Sequence, residues 1–116
     1  MDLRSKFVAV GTALKSQFLE REEVIDGMIC AALACEHVLL VWLPGSAKSA
    51  LVRAFTDCMT GAKYFEWLLS KFTNPDELYG PLSLKGLKDE RYSRVTAGKL
   101  PEATVGFIDE VFKGNS

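Results

Sequence analysis

Residues 38–55 read VLLVWLPGSAKSALVRAF, and this stretch decides the predicted fold. It opens with a continuous apolar run, VLLVW at 38–42, which is typical of a strand buried on both faces of a parallel sheet. Pro44 and Gly45 end that run. From Ala47 the apolar residues return at helical spacing, which predicts an amphipathic helix that ends near Gly61. A buried strand, a short loop and a helix are therefore expected in direct succession.

The loop of this stretch, WLPGSAKS at 42–49, partly fits the phosphate-binding pattern G-x-x-x-x-G-K-[ST]. Lys48 and Ser49 fit, whereas Trp42 and Ala47 stand where the pattern has glycine. A loop that enters a helix presents unpaired N–H groups and the positive end of the helix dipole to a phosphate. We expect Lys48 to neutralise the β- and γ-phosphates and the Ser49 hydroxyl to bind Mg²⁺. The residues expected to surround the phosphates are Pro44, Gly45, Ser46, Ala47, Lys48 and Ser49.

Periodic segments on both sides of this stretch complete the predicted fold. Residues 2–19 and about 22–34 carry apolar residues at helical spacing, so two amphipathic helices are expected before the first strand. After it, YFEWLL at 64–69 and TVGFID at 104–109 are predicted as buried strands. The order of these elements predicts an α/β domain with a mainly parallel sheet.

The region between the last two predicted strands carries its own signals. Asn74-Pro75-Asp76-Glu77 predicts a short helix that begins with a capping box and with proline at its first position. Gly80-Pro81 ends this helix. Residues 82–100 mix basic, small and apolar residues and are predicted to form an irregular hairpin.

The third predicted strand ends in two acidic residues, Asp109 and Glu110. Ligands of open α/β sheets bind at the carboxyl ends of the strands. We expect Asp109 to hold Mg²⁺ through a water molecule and Glu110 to orient and polarise the attacking water. Taken alone, Lys48-Ser49 fits an ordinary solvated helix start, and the two acids fit a helix cap. Their occurrence together in this order favours a nucleotide site.

Composition narrows the class of protein. The chain has 116 residues and a net charge of −1, which fits one small domain and gives no reason to expect nucleic acid or an anionic membrane as the main partner. The most apolar segment, 28–43, is shorter than the roughly 20 residues that span a bilayer. Three cysteines without framework spacing suit a reducing cytoplasm.

A metal site at Cys30, Cys35 and His37 is the alternative interpretation of the cysteines. It is disfavoured because Cys30 sits in an apolar helical run and a fourth ligand is not evident.

Three segments together resemble the MoxR group of AAA+ ATPases, most closely its RavA (regulatory ATPase variant A) branch: LPGSAKS at 43–49, FTNPDELYGPLSLKGLKDERYSRVTAGKLPEA at 72–103 and VGFIDEVFKGNS at 105–116. The resemblance covers roughly residues 20–116. It places the Walker A motif at 42–49 and the Walker B motif at 105–110. Within this group, alanine at position 47 is usual.

The resemblance implies a P-loop NTPase αβα core, with ATP and Mg²⁺ as ligands. It further implies ATP hydrolysis coupled to chaperone-type remodelling of partner proteins. Full-length relatives usually form a hexameric ring, and they often work with a protein that carries a von Willebrand factor A domain.

The sequence departs from this group in two respects. Trp42 replaces a glycine, and its indole either points into the core or displaces the phosphate-binding loop. The chain also ends at Ser116, before the sensor strands, the arginine finger and the helical lid. We therefore expect residues 1–116 to be the N-terminal part of an AAA+ domain, with an incomplete sheet and little turnover alone. The alternative is a non-catalytic remnant that acts as a protein-interaction or regulatory module.

Overall fold

A computed structural model describes residues 2–41 and 47–114 of the chain. In those ranges it contains five α-helices and two β-strands: α1 (Leu3–Gln17), α2 (Glu22–Ala34), α3 (Lys48–Asp57), β1 (Tyr64–Leu68), α4 (Pro75–Tyr79), α5 (Leu84–Lys88) and β2 (Val105–Asp109). Two 3-10 turns cover Leu100–Glu102 and Val111–Lys113. None of the helices in the described ranges is long and apolar enough to cross a membrane. The chain divides into two compact units, Met1–Cys58 and Met59–Ser116.

Three helices form the core of the first unit, where α1 contacts both α2 and α3. Each helix contributes residues from its predicted apolar stripe, because burial of those stripes is the main driving force for packing. The helices approach closely at Gly11, where an added Cβ would lie 3.3 Å from Ile29 Cδ1. The buried hydrophobic side chains of this core are Leu14, Ile25, Met28, Leu51, Val52 and Phe55.

Local signals explain where these helices begin and end. Asp2 caps α1 by accepting a hydrogen bond from the Ser5 N–H over 2.7 Å, and this hydrogen bond lowers the pKa of the Asp2 carboxyl. The helix ends at Gln17, two residues before the predicted end. The predicted bounds of α2 are confirmed, and Cys35 ends it in the left-handed conformation at φ 56°.

The strand predicted at VLLVW is wrong for residues 38–41, which adopt no strand, and Trp42 lies outside the described residues. Val38, Leu39 and Val41 are exposed. A parallel strand needs hydrogen-bonded neighbours. Among the described residues this segment pairs with no strand. Residues 38–41 therefore form no strand with a described neighbour, despite their strand-like composition.

The second unit is built on a parallel pair of strands, as predicted. β1 and β2 run in register from Tyr64 opposite Val105 to Leu68 opposite Asp109. Leu69 N–H continues the pairing by donating to the Asp109 carbonyl over 3.0 Å. Phe65 and Phe107 are the buried side chains of the pair. The described part of the sheet has these two strands alone, so a wider parallel sheet stays a prediction.

The capping box predicted for α4 is confirmed. Asn74 Oδ1 accepts the Glu77 N–H over 3.3 Å, and Glu77 Oε2 accepts the Asn74 N–H over 3.0 Å. The hairpin predicted at 82–100 is correct in part, since one antiparallel bridge joins Leu82 to Arg94. Helix α5 lies between those two residues. Ser83 caps it, since its Oγ atom accepts the Gly86 N–H over 3.0 Å.

Gly80 joins the end of α4 to this hairpin in a conformation that suits glycine, with φ 98° and ψ 154°. The Arg94 guanidinium donates to the Gly80 carbonyl over 2.7 Å and to Asp76 Oδ1 over 2.5 Å. A Cβ added at Gly80 would collide with the Val95 carbonyl oxygen. The backbone at this junction is therefore compatible with glycine and disfavours larger residues.

Candidate functional site

Two of the predicted phosphate-contacting side chains occupy the first turn of α3. The helix begins at Lys48, with Ala47 as the N-cap residue. Lys48 and Ser49 are half-buried and Ala47 is exposed. The preceding loop residues of the prediction, Pro44, Gly45 and Ser46, lie outside the described residues.

The N-terminus of α3 differs electrostatically from the other described helix starts. It has neither a side-chain cap nor an acidic residue in its first turn. α2 carries two glutamates there. The other three described helices are each capped by a side-chain oxygen, from Asp2, Asn74 and Ser83. Since the first N–H groups of a helix have no acceptor within the helix, the α3 start favours an anion from outside it.

The acidic pair stands where the parallel strands end. Asp109 is the last residue of β2 and lies opposite Leu68, the last residue of β1. It is half-buried, and its Oδ1 atom accepts the Glu110 N–H over 2.9 Å. Glu110 then takes the left-handed conformation at φ 55°, which ends the strand and turns the chain into the 3-10 turn. Asp109 is thus held at the carboxyl edge of the sheet.

Glu110 has a partner that the sequence pattern did not predict. Its Oε2 atom lies 2.9 Å from Lys113 Nζ, three residues along the chain. The pair is solvent-exposed, with 36% of the Glu110 side chain accessible, and exposed pairs of this kind contribute only about 0.2–1 kcal/mol. The opposite charges at i and i+3 are the sequence signal that would have revealed it.

The polar groups of Lys48, Ser49, Asp109 and Glu110 are of the types that bind magnesium and phosphate. A hydroxyl and a carboxylate are hard ligands for Mg²⁺, and a lysine ammonium is a compact counter-charge for phosphate. Lys48 and Ser49 belong to the first unit, and Asp109 and Glu110 belong to the second. The geometry given above for each pair refers to its own unit. Their joint role in one site stays a prediction.

The alternative metal site gains no support. Cys30 and Cys35 are exposed thiols. No group of three or more His, Cys, Asp and Glu side chains that could hold a metal ion occurs in residues 2–41 and 47–114.

Comparison with known proteins identifies the family of the chain. Residues 5–116 match the family model bpMoxR, described as the MoxR domain in the MoxR-vWA-beta-propeller ternary systems. The match extends over nearly the whole chain, further towards the N-terminus than the motifs that carry the resemblance.

Three relatives are similar over most of this chain. The uncharacterized proteins MJ0079 and MJ0812 of Methanocaldococcus jannaschii are 47% identical over 99% of the chain and 52% identical over 89% of it. Structural protein ORF618 of Acidianus two-tailed virus is 29% identical over 96% of the chain. The chain spans 30%, 28% and 19% of the lengths of these relatives, respectively.

Proposed function

The chain belongs to the MoxR family, in the form found in MoxR-vWA-beta-propeller systems, and from this premise we propose that it is the nucleotide-binding part of an AAA+ ATPase. The observation that carries the proposal is the start of α3 at Lys48-Ser49, where the helix has no side-chain cap and no acidic residue in its first turn. Residues 42–49 act as the Walker A motif and residues 105–110 as the Walker B motif.

Lys48 and the α3 N-terminus bind the phosphates of ATP. The ammonium group of Lys48 neutralises the β- and γ-phosphates, and the first-turn N–H groups donate hydrogen bonds to phosphate oxygens. The loop residues 44–46 complete this cradle. Binding at a helix start places the phosphate charge in the favourable field of the helix dipole.

Ser49 and Asp109 are the residues that would hold the magnesium ion of a bound nucleotide. The Ser49 hydroxyl would be a ligand, and Asp109 would act through a water molecule, because Mg²⁺ retains several waters in protein sites. The hydrogen bond from the Glu110 N–H to Asp109 Oδ1 keeps that carboxylate oriented at the strand end. Bound Mg²⁺ supplies neutralisation of the charge that develops on the phosphates.

Glu110 orients and polarises the water that attacks the γ-phosphate. Its carboxylate accepts a proton from that water, which is the general-base role. The Glu110–Lys113 ion pair must open or shift for this step, and its exposure makes that inexpensive. Hydrolysis then drives the remodelling of partner proteins by the full-length protein.

The proposed partner proteins are inferred from the description of the matched family. The MoxR domain of this family occurs in systems with a vWA protein and a beta-propeller protein, so we infer that a vWA protein is a working partner of this chain. Assembly of the full-length protein into a hexameric ring is part of the same proposal. Assignment to the RavA branch remains a prediction, since the matched family is defined by the vWA and beta-propeller systems.

Lys48→Ala is expected to weaken Mg-ATP binding about ten- to a hundredfold. The variant removes a charge-assisted contact, and hydrogen bonds to charged groups contribute ~1.5–3 kcal/mol, where ~1.4 kcal/mol corresponds to a tenfold change in affinity. Isothermal titration calorimetry of the 116-residue chain with Mg-ATP measures the change.

Lys6→Ala is the matched control for this experiment, since Lys6 is an exposed lysine on α1 and its removal changes the net charge equally. The control is expected to bind as the unaltered chain does. Equal affinities of the Lys48→Ala variant and the unaltered chain would remove the Walker A assignment.

A second candidate function is a non-catalytic interaction module. It is favoured by Trp42, which replaces a glycine of the phosphate-binding pattern. It is also favoured by the similarity to a protein named as a viral structural protein.

This candidate predicts that the unaltered chain does not bind Mg-ATP at millimolar concentration and that Trp42→Gly restores binding. Glycine would allow the close approach of backbone to phosphate that an indole obstructs. Calorimetry on both proteins distinguishes the candidates, because binding by the unaltered chain excludes the second.

A further inference from the structure

Helix α5 presents two leucines and two lysines to solvent, and neither pair takes part in the function proposed above. The exposed fractions are 76% for Leu84 and 44% for Leu87, and Lys85 and Lys88 are exposed as well. Because residues three apart share one side of a helix, the leucines form one row and the lysines form the adjacent row. Gly86 between them is buried. We call the four exposed residues the Leu-Lys surface.

The backbone beneath the Leu-Lys surface is held by hydrogen bonds on both sides of the helix. Ser83 N–H donates to the Ser93 carbonyl over 2.8 Å, and Arg91 N–H donates to the Gly86 carbonyl over 2.7 Å. A Cβ added at Gly86 would lie 2.6 Å from Ser93 Oγ, so the helix fits closely against the returning chain. An ordered backbone therefore displays two neighbouring apolar side chains to water.

Charge indicates what covers this surface. Among the described residues, no ion pair involves Lys85 or Lys88, whereas the nearby Arg91 and Arg94 are paired with Asp89 and Asp76. The two unpaired ammonium groups border the leucine row and attract carboxylates. We propose that the Leu-Lys surface docks an acidic segment of a partner protein, whose apolar side chains cover Leu84 and Leu87 and whose carboxylates pair with Lys85 and Lys88.

Selection from a random 12-residue phage-displayed peptide library on the immobilised 116-residue chain tests this proposal. The expected result is enrichment of peptides that combine Asp or Glu with large apolar residues. The enriched peptide, synthesised and labelled, is then titrated by fluorescence anisotropy. Leu84→Ser/Leu87→Ser is expected to weaken its binding about tenfold or more, since buried anchors dominate interface energies.

Lys85→Gln/Lys88→Gln tests the charged half of the surface separately. This variant is expected to weaken binding about fivefold or more at low salt and to reduce the salt dependence, because the carboxylates lose their counter-charges. Leu3→Ser/Leu19→Ser and Lys6→Gln/Lys63→Gln are matched controls at exposed positions elsewhere, and both are expected to bind normally. Circular dichroism confirms that each variant is folded.

Three results would overturn the proposal. The first is a selection without an acidic and apolar consensus, or peptides that bind the variants as well as the unaltered chain. The second is self-association of the chain in sedimentation equilibrium that Leu84→Ser/Leu87→Ser abolishes, which would make a second copy the occupant. The third is binding to phosphatidylserine vesicles that the same variant abolishes, which would make a lipid surface the occupant.

Discussion

Replacing Glu110 by glutamine is expected to slow ATP hydrolysis about 10²–10⁴-fold in the ATPase proposed above, the range typical of a positioned general base. Glutamine preserves the size of the side chain but cannot accept the proton of the attacking water. Mg-ATP affinity is expected to stay within about twofold, because the proposed phosphate and Mg²⁺ contacts belong to other residues. Steady-state phosphate release and calorimetric titration measure the two quantities.

Two control variants distinguish the effect of the Glu110 carboxylate on the hydrolysis rate from the effects of its surroundings. Lys113→Ala removes the ion pair of Glu110 but keeps the carboxylate, and an exposed pair is too weak to change the rate by more than about fivefold. Glu102→Gln makes the same chemical change at another exposed glutamate of the second unit. Hydrolysis by Glu110→Gln at the rate of the unaltered protein would refute the assigned role.

Gly80→Ala is expected to destabilise the second unit by about 3 kcal/mol or more. A φ of 98° with a ψ of 154° falls in a region that is essentially restricted to glycine, and a residue held in such a conformation costs about 1–3 kcal/mol. The added Cβ would also collide with the Val95 carbonyl oxygen, which is backbone and cannot rotate away. Urea denaturation followed by Trp67 fluorescence in a Trp42→Phe background reports on this unit.

Two other glycines allow the contributions to be separated. Gly98 also has a positive φ, 71°, but an added Cβ there meets nothing within 4 Å, so Gly98→Ala is expected to cost only about 1–2 kcal/mol. Gly27 lies in α2 with open space around it, and Gly27→Ala is expected to leave the second unit unchanged. A loss from Gly80→Ala no larger than that from Gly98→Ala would show that the contact with Val95 contributes nothing.

Segments whose structure depends on neighbouring residues were predicted well from the sequence. Helix α2 and the α4 capping box follow from periodicity and from side chains three positions apart, which interact within the segment itself. The residue types of β1 and β2 likewise indicated strands. The site residues were identified by chemistry and order, and their joint function remains a prediction that the Lys48 and Glu110 variants test.

Segments whose structure depends on distant partners were predicted less well. Residues 38–41 have a strand-like composition but no paired strand among the described residues. Helix α5 was missed although its Ser83 cap is local, because its fit against Ser93 depends on the return of the chain. Strand pairing and close packing of this kind join residues that are far apart in sequence, which a local pattern does not specify.

Helices α2 and α4 and strands β1 and β2 are specified by local sequence, because helical and strand periodicity, caps and proline act within a few residues. Only the folded chain sets Leu68 opposite Asp109 and brings Gly80 against Val95. These features arise from hydrogen bonds and steric contacts that exist only once the chain has folded back on itself, and the strand register sets where Asp109 stands.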